Sequence, residues 1–205
     1  MDITLSKEVS VNDSIRLQHL ARLAEEQAAR NDGDFVECGV FKGGTALLLA
    51  QALQESNSFH IVHLLDAWQG MPCPGEQDAG TTIPEKFFAD SSEKEVKRLL
   101  KRYGLRKCCK TYRGWFRDTL TILTGPFSLV HIDCDLYEPV AECLSYLMPR
   151  MTPTGIIVMD DYGELGSRRF PGVKKAVDKC IADTEWYVVP LGGERDQSVK
   201  LMRGC

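Results

Sequence analysis

A chain of 205 residues, 43% hydrophobic and 26% charged, has the balance of a soluble globular protein and the length of one ordinary domain. Its net charge of −4, with no long lysine and arginine run, argues against nucleic acid or an anionic membrane surface as the main partner. No stretch approaches the roughly 20 apolar residues that span a bilayer, and MDITLSKEVSVNDSIRLQ holds no apolar signal core.

Residues 13–30 predict an amphipathic helix, with Ile15, Leu17, Leu20, Leu23 and Ala24 on one side and a stop at Asn31-Asp32-Gly33. Residues 1–32 thus lead, as a helical segment, into one domain running to residue 205. Phe35–Gly39 is a short buried strand entering a glycine-rich turn, and the alanine-rich run from Thr45 to Leu53 is the helix after it. Ile61–Asp66 is a second strand. The glycine- and proline-rich loop from Gly70 to Gly80 is too long for a plain connector, which suggests a mobile or substrate-covering segment. Residues 92–103 predict a charged helix, and a weak pattern near 106–112 a third strand. Phe127–Asp133 is the fourth strand, followed by a helix over 137–149. Gly155–Asp160 is the fifth. Pro171 opens a helix to about Ala182, and two short strands, Trp186–Pro190 and Val199–Met202, close the chain. This alternation predicts an α/β fold with a mostly parallel sheet covered on both faces. The eight cysteines form no CxxC pair, and Cys38, Cys134 and Cys143 sit in apolar patterns. That usage predicts reduced thiols in a cytoplasmic protein and no zinc site.

Two constellations carry chemistry. The first is Glu37-Cys38-Gly39-Val40-Phe41-Lys42-Gly43-Gly44-Thr45. Glycines after a first strand let the backbone approach a ligand, and the helix beginning after Gly43 offers free N–H groups to a carboxylate. The spacing is neither that of a dinucleotide fingerprint nor that of a P-loop. Glu37 would repel a pyrophosphate but suits an ammonium, so an amino-acid ligand fits, and S-adenosylmethionine fits well. Asp66 ends the second strand, where an acid commonly holds ribose hydroxyls, and Trp68 is placed to cover adenine. Taken singly, the glycines read equally as turn chemistry, Asp66 as a solvated strand end and Trp68 as a packing residue.

The second constellation joins His131-Ile132-Asp133-Cys134-Asp135 at the end of the fourth strand to Asp160-Asp161-Tyr162 at the end of the fifth. Carboxyl ends of neighbouring parallel strands share one edge, so Asp133 and Asp160 should converge beside the ligand crevice. Carboxylates brought together repel unless protonated or bound to a cation, and all-oxygen ligands favour Mg²⁺. Such an ion would acidify a substrate hydroxyl and aim it at a methyl donor, with a carboxylate or His131 taking the proton. Capping of the following helix remains open for Asp135, and helix caps or solvated loops for the other aspartates.

The series Glu37-x-Gly39-Val40-x-x-Gly43-Gly44, Asp66-Ala67-Trp68-x-Gly70-Met71-Pro72, Gly114-Trp115-Phe116-x-Asp118-Thr119-Leu120, His131-Ile132-Asp133-x-Asp135-Leu136-Tyr137-Glu138 and Gly155-x-x-x-x-Asp160-Asp161-Tyr162 resembles the macrocin O-methyltransferase family. The resemblance implies a Rossmann-like class I methyltransferase fold of seven strands with the last antiparallel, S-adenosylmethionine as donor, and sugar hydroxyls of natural products as acceptors. It implies Mg²⁺ at Asp133, Asp160 and Asp161, with Asp133 also a general base. Glu37, Gly39, Thr45, Asp66 and Trp68 would surround the donor, and Trp115 would border its adenine. A homodimer is the implied assembly, and the partner a small-molecule hydroxyl acceptor. Rival readings are a metal-dependent glycosyltransferase built on Asp133-Cys134-Asp135, a phenol or catechol O-methyltransferase, an aspartyl phosphatase, and a cofactor-binding module without catalysis.

Overall fold

The computed structural model describes residues 4–10, 12–192 and 198–204. Two helices, α1 (Thr4–Val9) and α2 (Ser14–Arg30), precede the sheet. Strand and helix then alternate through β1 (Asp34–Cys38), α3 (Gly44–Glu55), β2 (Val62–Asp66), α4 (Glu93–Arg102), β3 (Cys109–Arg113), α5 (Phe116–Thr119), β4 (Phe127–Ile132), α6 (Tyr137–Leu147) and β5 (Met151–Met159). Two helices, α7 (Glu164–Arg169) and α8 (Pro171–Ile181), lead to β6 (Trp186–Pro190) and β7 (Val199–Arg203). The seven strands lie in the order β3-β2-β1-β4-β5-β7-β6. β7 runs antiparallel to both of its neighbours, and the five strands from β3 to β5 are parallel.

Both faces of the sheet are apolar because helices cover both, which is why β1 and β4 read as near-continuous hydrophobic runs. Phe35, Leu64, Leu129 and Val158 point to one face, against α2, α3 and α4. Val36, Leu65, Val130 and Met159 point to the other, which carries residues of α6 and α8. Glu37, His131 and Asp160 follow the parity of the first face. They therefore lie beneath α2.

The start of α2 is fixed by Asp13, whose carboxylate accepts the N–H groups of Ile15 and Arg16 at 2.9 and 3.0 Å. Asn31 ends the helix with φ 53°, the left-handed turn expected at that position. β5 begins at Met151 rather than Gly155, because the chain pairs with Phe127 and then shifts register before Ile156 meets Leu129. Thr152-Pro153-Thr154 lies in that irregular stretch. Neither α1 nor α7 has a hydrophobic period long enough to announce it. Among the described residues no helix is long and apolar enough to cross a membrane. The cysteines from Cys38 to Cys180 are free thiols, and Cys205 lies outside the described residues.

Candidate active site

β1 and β4 are neighbours at the point where the strand order reverses, the usual crevice of an open α/β sheet. Gly39 makes that crevice possible. Its φ is +90°, and a Cβ there would stand 1.9 Å from the carbonyl oxygen of Asp133, so no side chain is tolerated. Asp133 N–H in turn donates to Cys38 O at 2.9 Å. The glycine turn and the end of β4 are thereby locked together, and a cavity of about 750 Å³ opens above them, well within the range of small-ligand sites.

The turn residues Gly39 and Phe41, with Asp66 and Ala67, form one wall, and Gly114, Trp115 and Phe116 another. Asp133, Asp135 and Asp161 lie at its floor. The loop after β2 contributes a third wall that includes Met71, Phe87 and Phe88. That loop is pinned at its base by paired backbone bonds between Met71 and Lys86–Phe87 at 2.9 Å. Midway, buried Asp78 accepts Tyr137 N–H at 2.8 Å and Gly75 N–H at 3.0 Å. Gly172 is what admits it, since a Cβ there would lie 1.8 Å from an Asp78 oxygen. So α6 is capped by Asp78, fifty-nine positions upstream, and not by Asp135.

Of the residues expected around a donor, Gly39, Asp66 and Trp115 line this cavity, while Glu37, Gly43, Gly44, Thr45 and Trp68 do not. Trp68 is 6% exposed and packs in the core under α3 and α4. Its indole N–H donates to Phe41 O at 3.1 Å. Asp66 accepts N–H groups from Val40 and Phe41 at 2.8 Å and from Trp68 at 2.6 Å. Burial raises the Asp66 carboxyl, and those three donors oppose it. Between them Asp66 and Trp68 fix both backbone groups of Phe41, so the aromatic ring presented to the cavity is Phe41, set edge-on to Phe88 at 5.1 Å. The expectation that Trp68 itself covers a ligand is corrected: its side chain is spent on holding the turn. Gly43 lies against Val96 and Leu99, and Gly44 against Ser10, whose Cβ would be 2.6 Å from an added methyl. The segment after α1 thus covers the α3 N-terminus that sequence alone left open.

Glu37 is paired across the sheet with His131 and is fully buried. Its Oε1 lies 3.1 Å from His131 Nδ1, and its Oε2 is buried with no hydrogen-bond partner. His131 Nε2 lies 3.5 Å from Asp160. Burial pulls the imidazole pKa down, but Asp160 and Glu37 outweigh it and push it up to about 10. Both ring nitrogens of His131, which is 2% exposed, face carboxylates. His131 is thereby set between Glu37 and Asp160, bridging the two carboxylates.

Asp160 accepts from Ser198 Oγ and from Asn12 Nδ2 at 2.9 Å. Burial works against its charge, yet His131, Arg16 and Ser198 hold it below the usual carboxylate range. The other acids differ. Asp133, Asp135 and Asp161 offer oxygens within 4.8 Å of one another, and a ring nitrogen of His131 lies equally close to oxygens of Asp133 and Asp160. Burial first, and then neighbouring aspartates, raises Asp133 well above its ordinary value and Asp135 to about 8. The same causes raise Asp161 to about 6, against the pull of Arg16 and Arg169. Mutual repulsion of desolvated carboxylates is what a hard divalent cation relieves, so Asp133, Asp135 and Asp161 fit one. Asp135, with φ +65°, joins the set that sequence reasoning had drawn as Asp133, Asp160 and Asp161. Asp160 belongs to the second of these groups, with His131 and Asp133, and also accepts from Ser198 and Asn12. Sequence reasoning also missed Asn12 and Arg16, because nothing local ties them to residues more than a hundred positions away.

The macrocin-O-methyltransferase (TylF) family matches residues 8–184. The chain belongs to that family. The demethyldecarbamoylnovobiocin O-methyltransferase of Streptomyces niveus is 32% identical over 176 residues, which are 82% of this chain and 65% of that protein. The 8-demethyl-8-(2,3-dimethoxy-alpha-L-rhamnosyl)-tetracenomycin-C 4'-O-methyltransferase of Streptomyces olivaceus is 31% identical over 138 residues, 63% of this chain and 53% of that one. The chain thus spans between about half and two thirds of the length of these curated relatives. Among solved structures, the O-methyltransferase NovP superposes with a TM-score of 0.81 at 28% identity, covering 96% of this chain and 83% of NovP. The class I methyltransferase fold is the one the motifs implied, and the glycosyltransferase and phosphatase readings fall away. The family's homology begins before α2, so Asn12 and Arg16 lie inside the macrocin-O-methyltransferase domain.

Proposed function

We propose that this chain transfers a methyl group from S-adenosylmethionine to a sugar hydroxyl of a glycosylated natural product, with a divalent metal held by Asp133, Asp135 and Asp161. The observation that carries the reading is the acid floor: three aspartates face one another in a cavity that opens directly over the Gly39 turn. The relatives support the reaction, since both are named O-methyltransferases and one name specifies a rhamnosyl compound. A bound divalent ion would supply Lewis acidity to an acceptor hydroxyl, for which Mg²⁺ suits the oxygen donors.

Each group of this chain then has a part. Phe41, Trp115 and Phe116 line the apolar part of the cavity where a nucleoside fits. The unpartnered Glu37 oxygen, buried behind the glycine turn, adds negative charge that favours an ammonium in the cavity. Asp133, at the cavity floor, takes the acceptor's proton. Phe87, Phe88 and Asp78 keep the third wall in place and exclude water. The free thiols agree with a reducing, cytoplasmic setting.

The test is direct. Calorimetry with S-adenosylhomocysteine should show one site per chain. Incubation with S-adenosylmethionine, Mg²⁺ and a panel of TDP-rhamnose, plant rhamnosides and catechol should add one methyl to a sugar, seen by mass spectrometry. Methylation of catechol alone moves the acceptor class to phenols, and no binding of the homocysteine nucleotide removes the proposal.

A further inference from the structure

The first turn of α2 delivers a positive charge to the acid floor. Arg16 lines the cavity with a side chain that is 14% exposed, and its Nη1 lies 3.5 Å from Asp161 and 3.7 Å from Asp160. These separations exceed an ordinary N–H···O bond, and the buried Nε makes no hydrogen bond. The attraction is Coulombic and undirected. Beside it Asn12 donates to Asp160 at 2.9 Å and reaches Asp133 at 3.5 Å. Asp13 caps the helix between these two residues, and its carboxylate also lies 3.5 Å from Arg16 Nε.

Buried carboxylates need a counter-charge. The cations acting on this cluster include His131, which faces Asp160 and Asp133, Arg16, which acts on Asp160, Asp135 and Asp161, and Arg169, which acts on Asp135 and Asp161. Asp161 belongs both to the metal-capable group and to the Arg16 ion pair. A divalent ion taking the Asp161 oxygen removes the nearer of the two acid-floor carboxylates that face Arg16, leaves Asp160 at 3.7 Å, and repels the guanidinium charge.

We propose that Arg16 is the built-in counter-ion of the metal-free site: it competes with the divalent ion for Asp161, and metal loading releases the start of α2 from the acid floor. The inference rests on the metal reading above. It makes the N-terminal helix a sensor of metal occupancy.

The experiment is a Mn²⁺ titration of the full chain, followed by electron paramagnetic resonance, for wild type, Arg16→Gln and Arg16→Lys. Removing a unit charge beside the ion should tighten Mn²⁺ binding about tenfold in Arg16→Gln, with Arg16→Lys close to wild type. Two further readouts stand apart from affinity and activity. Mn²⁺ should raise the melting temperature of Arg16→Gln more than that of wild type, and should speed amide exchange over residues 12–18 in wild type only. Wild type binding Mn²⁺ with Arg16→Gln binding it no tighter overturns the counter-ion role and leaves the metal site standing. Mn²⁺ binding to none of the three proteins overturns both.

Discussion

At the starting edge of the sheet Asp34 stands at the head of β1, where His60 Nδ1 lies 2.9 Å away, His63 Nε2 3.0 Å and the Ile61 N–H 3.2 Å. His63 passes the network on to the Tyr112 hydroxyl at 2.8 Å. Burial opposes the charge, but His63, His60 and the backbone donor hold Asp34 below the usual carboxylate range. At the finishing edge Asp133, Asp135 and Asp161 face each other, and burial and mutual repulsion raise all three. Both edges are acidic and close to a strand terminus. The difference lies in what surrounds each carboxylate: donors make Asp34 a structural clamp, whereas crowding by like charges makes the other edge a place for a cation. Asp160 shows the principle within a single pair, since its neighbour Asp161 is raised while His131, Arg16 and Ser198 hold it down.

Substitutions at the two edges should therefore diverge. Asp133→Asn should lower methyl transfer by about a thousandfold, the scale of losing a positioned base, with S-adenosylhomocysteine affinity unchanged by calorimetry. Asp66→Ala frees three backbone N–H groups of the glycine turn. It should cost about 3 kcal/mol in denaturant unfolding and weaken the homocysteine nucleotide as well. Asp135→Asn removes a crowded charge. It should stabilise the metal-free protein by about 2 kcal/mol while weakening Mn²⁺, a trade typical of functional sites. Loss of stability in that variant would contradict the crowding.

Asp34→Asn should cost only about 1 kcal/mol, discounted for the partial exposure of the pair, and leave methyl transfer and metal affinity alone. Its sign in pH follows from the lowered carboxyl. The contribution is fully present above the ordinary value of 3.8 and is lost as pH falls below it. Wild type and variant should therefore converge in urea unfolding near the acid end, and a gap that widens there would overturn the clamp.

Much of this architecture is legible in the chain itself. Apolar runs ending in an acid, such as Phe127–Asp133 and Gly155–Asp160, announce both the strand and the edge at which its carboxylate emerges, because parallel strands bury both faces. The side of the backbone a residue takes is harder. Trp68 follows Asp66 as a ligand-covering ring would, yet its indole lies in the core, donating to Phe41 O, and Phe41 is the ring at the cavity. Asp135 precedes α6 as a cap would, but the cap is Asp78, brought in by the loop and admitted by Gly172. Asn12 and Arg16 carry no local signal, since their partners lie 121 and 148 positions away for Asn12. Only the parity that puts Glu37, His131 and Asp160 beneath α2 reveals them.

The central claim is that the finishing edge holds a divalent ion beside the methyl donor. A Mn²⁺ titration in the presence of S-adenosylhomocysteine tests it most directly, comparing wild type with the double variant Asp133→Asn/Asp161→Asn. One ion bound per wild-type chain, and none by the double variant while the nucleotide still binds, is the expected result. A wild-type protein that takes up the nucleotide but no Mn²⁺ would contradict the account.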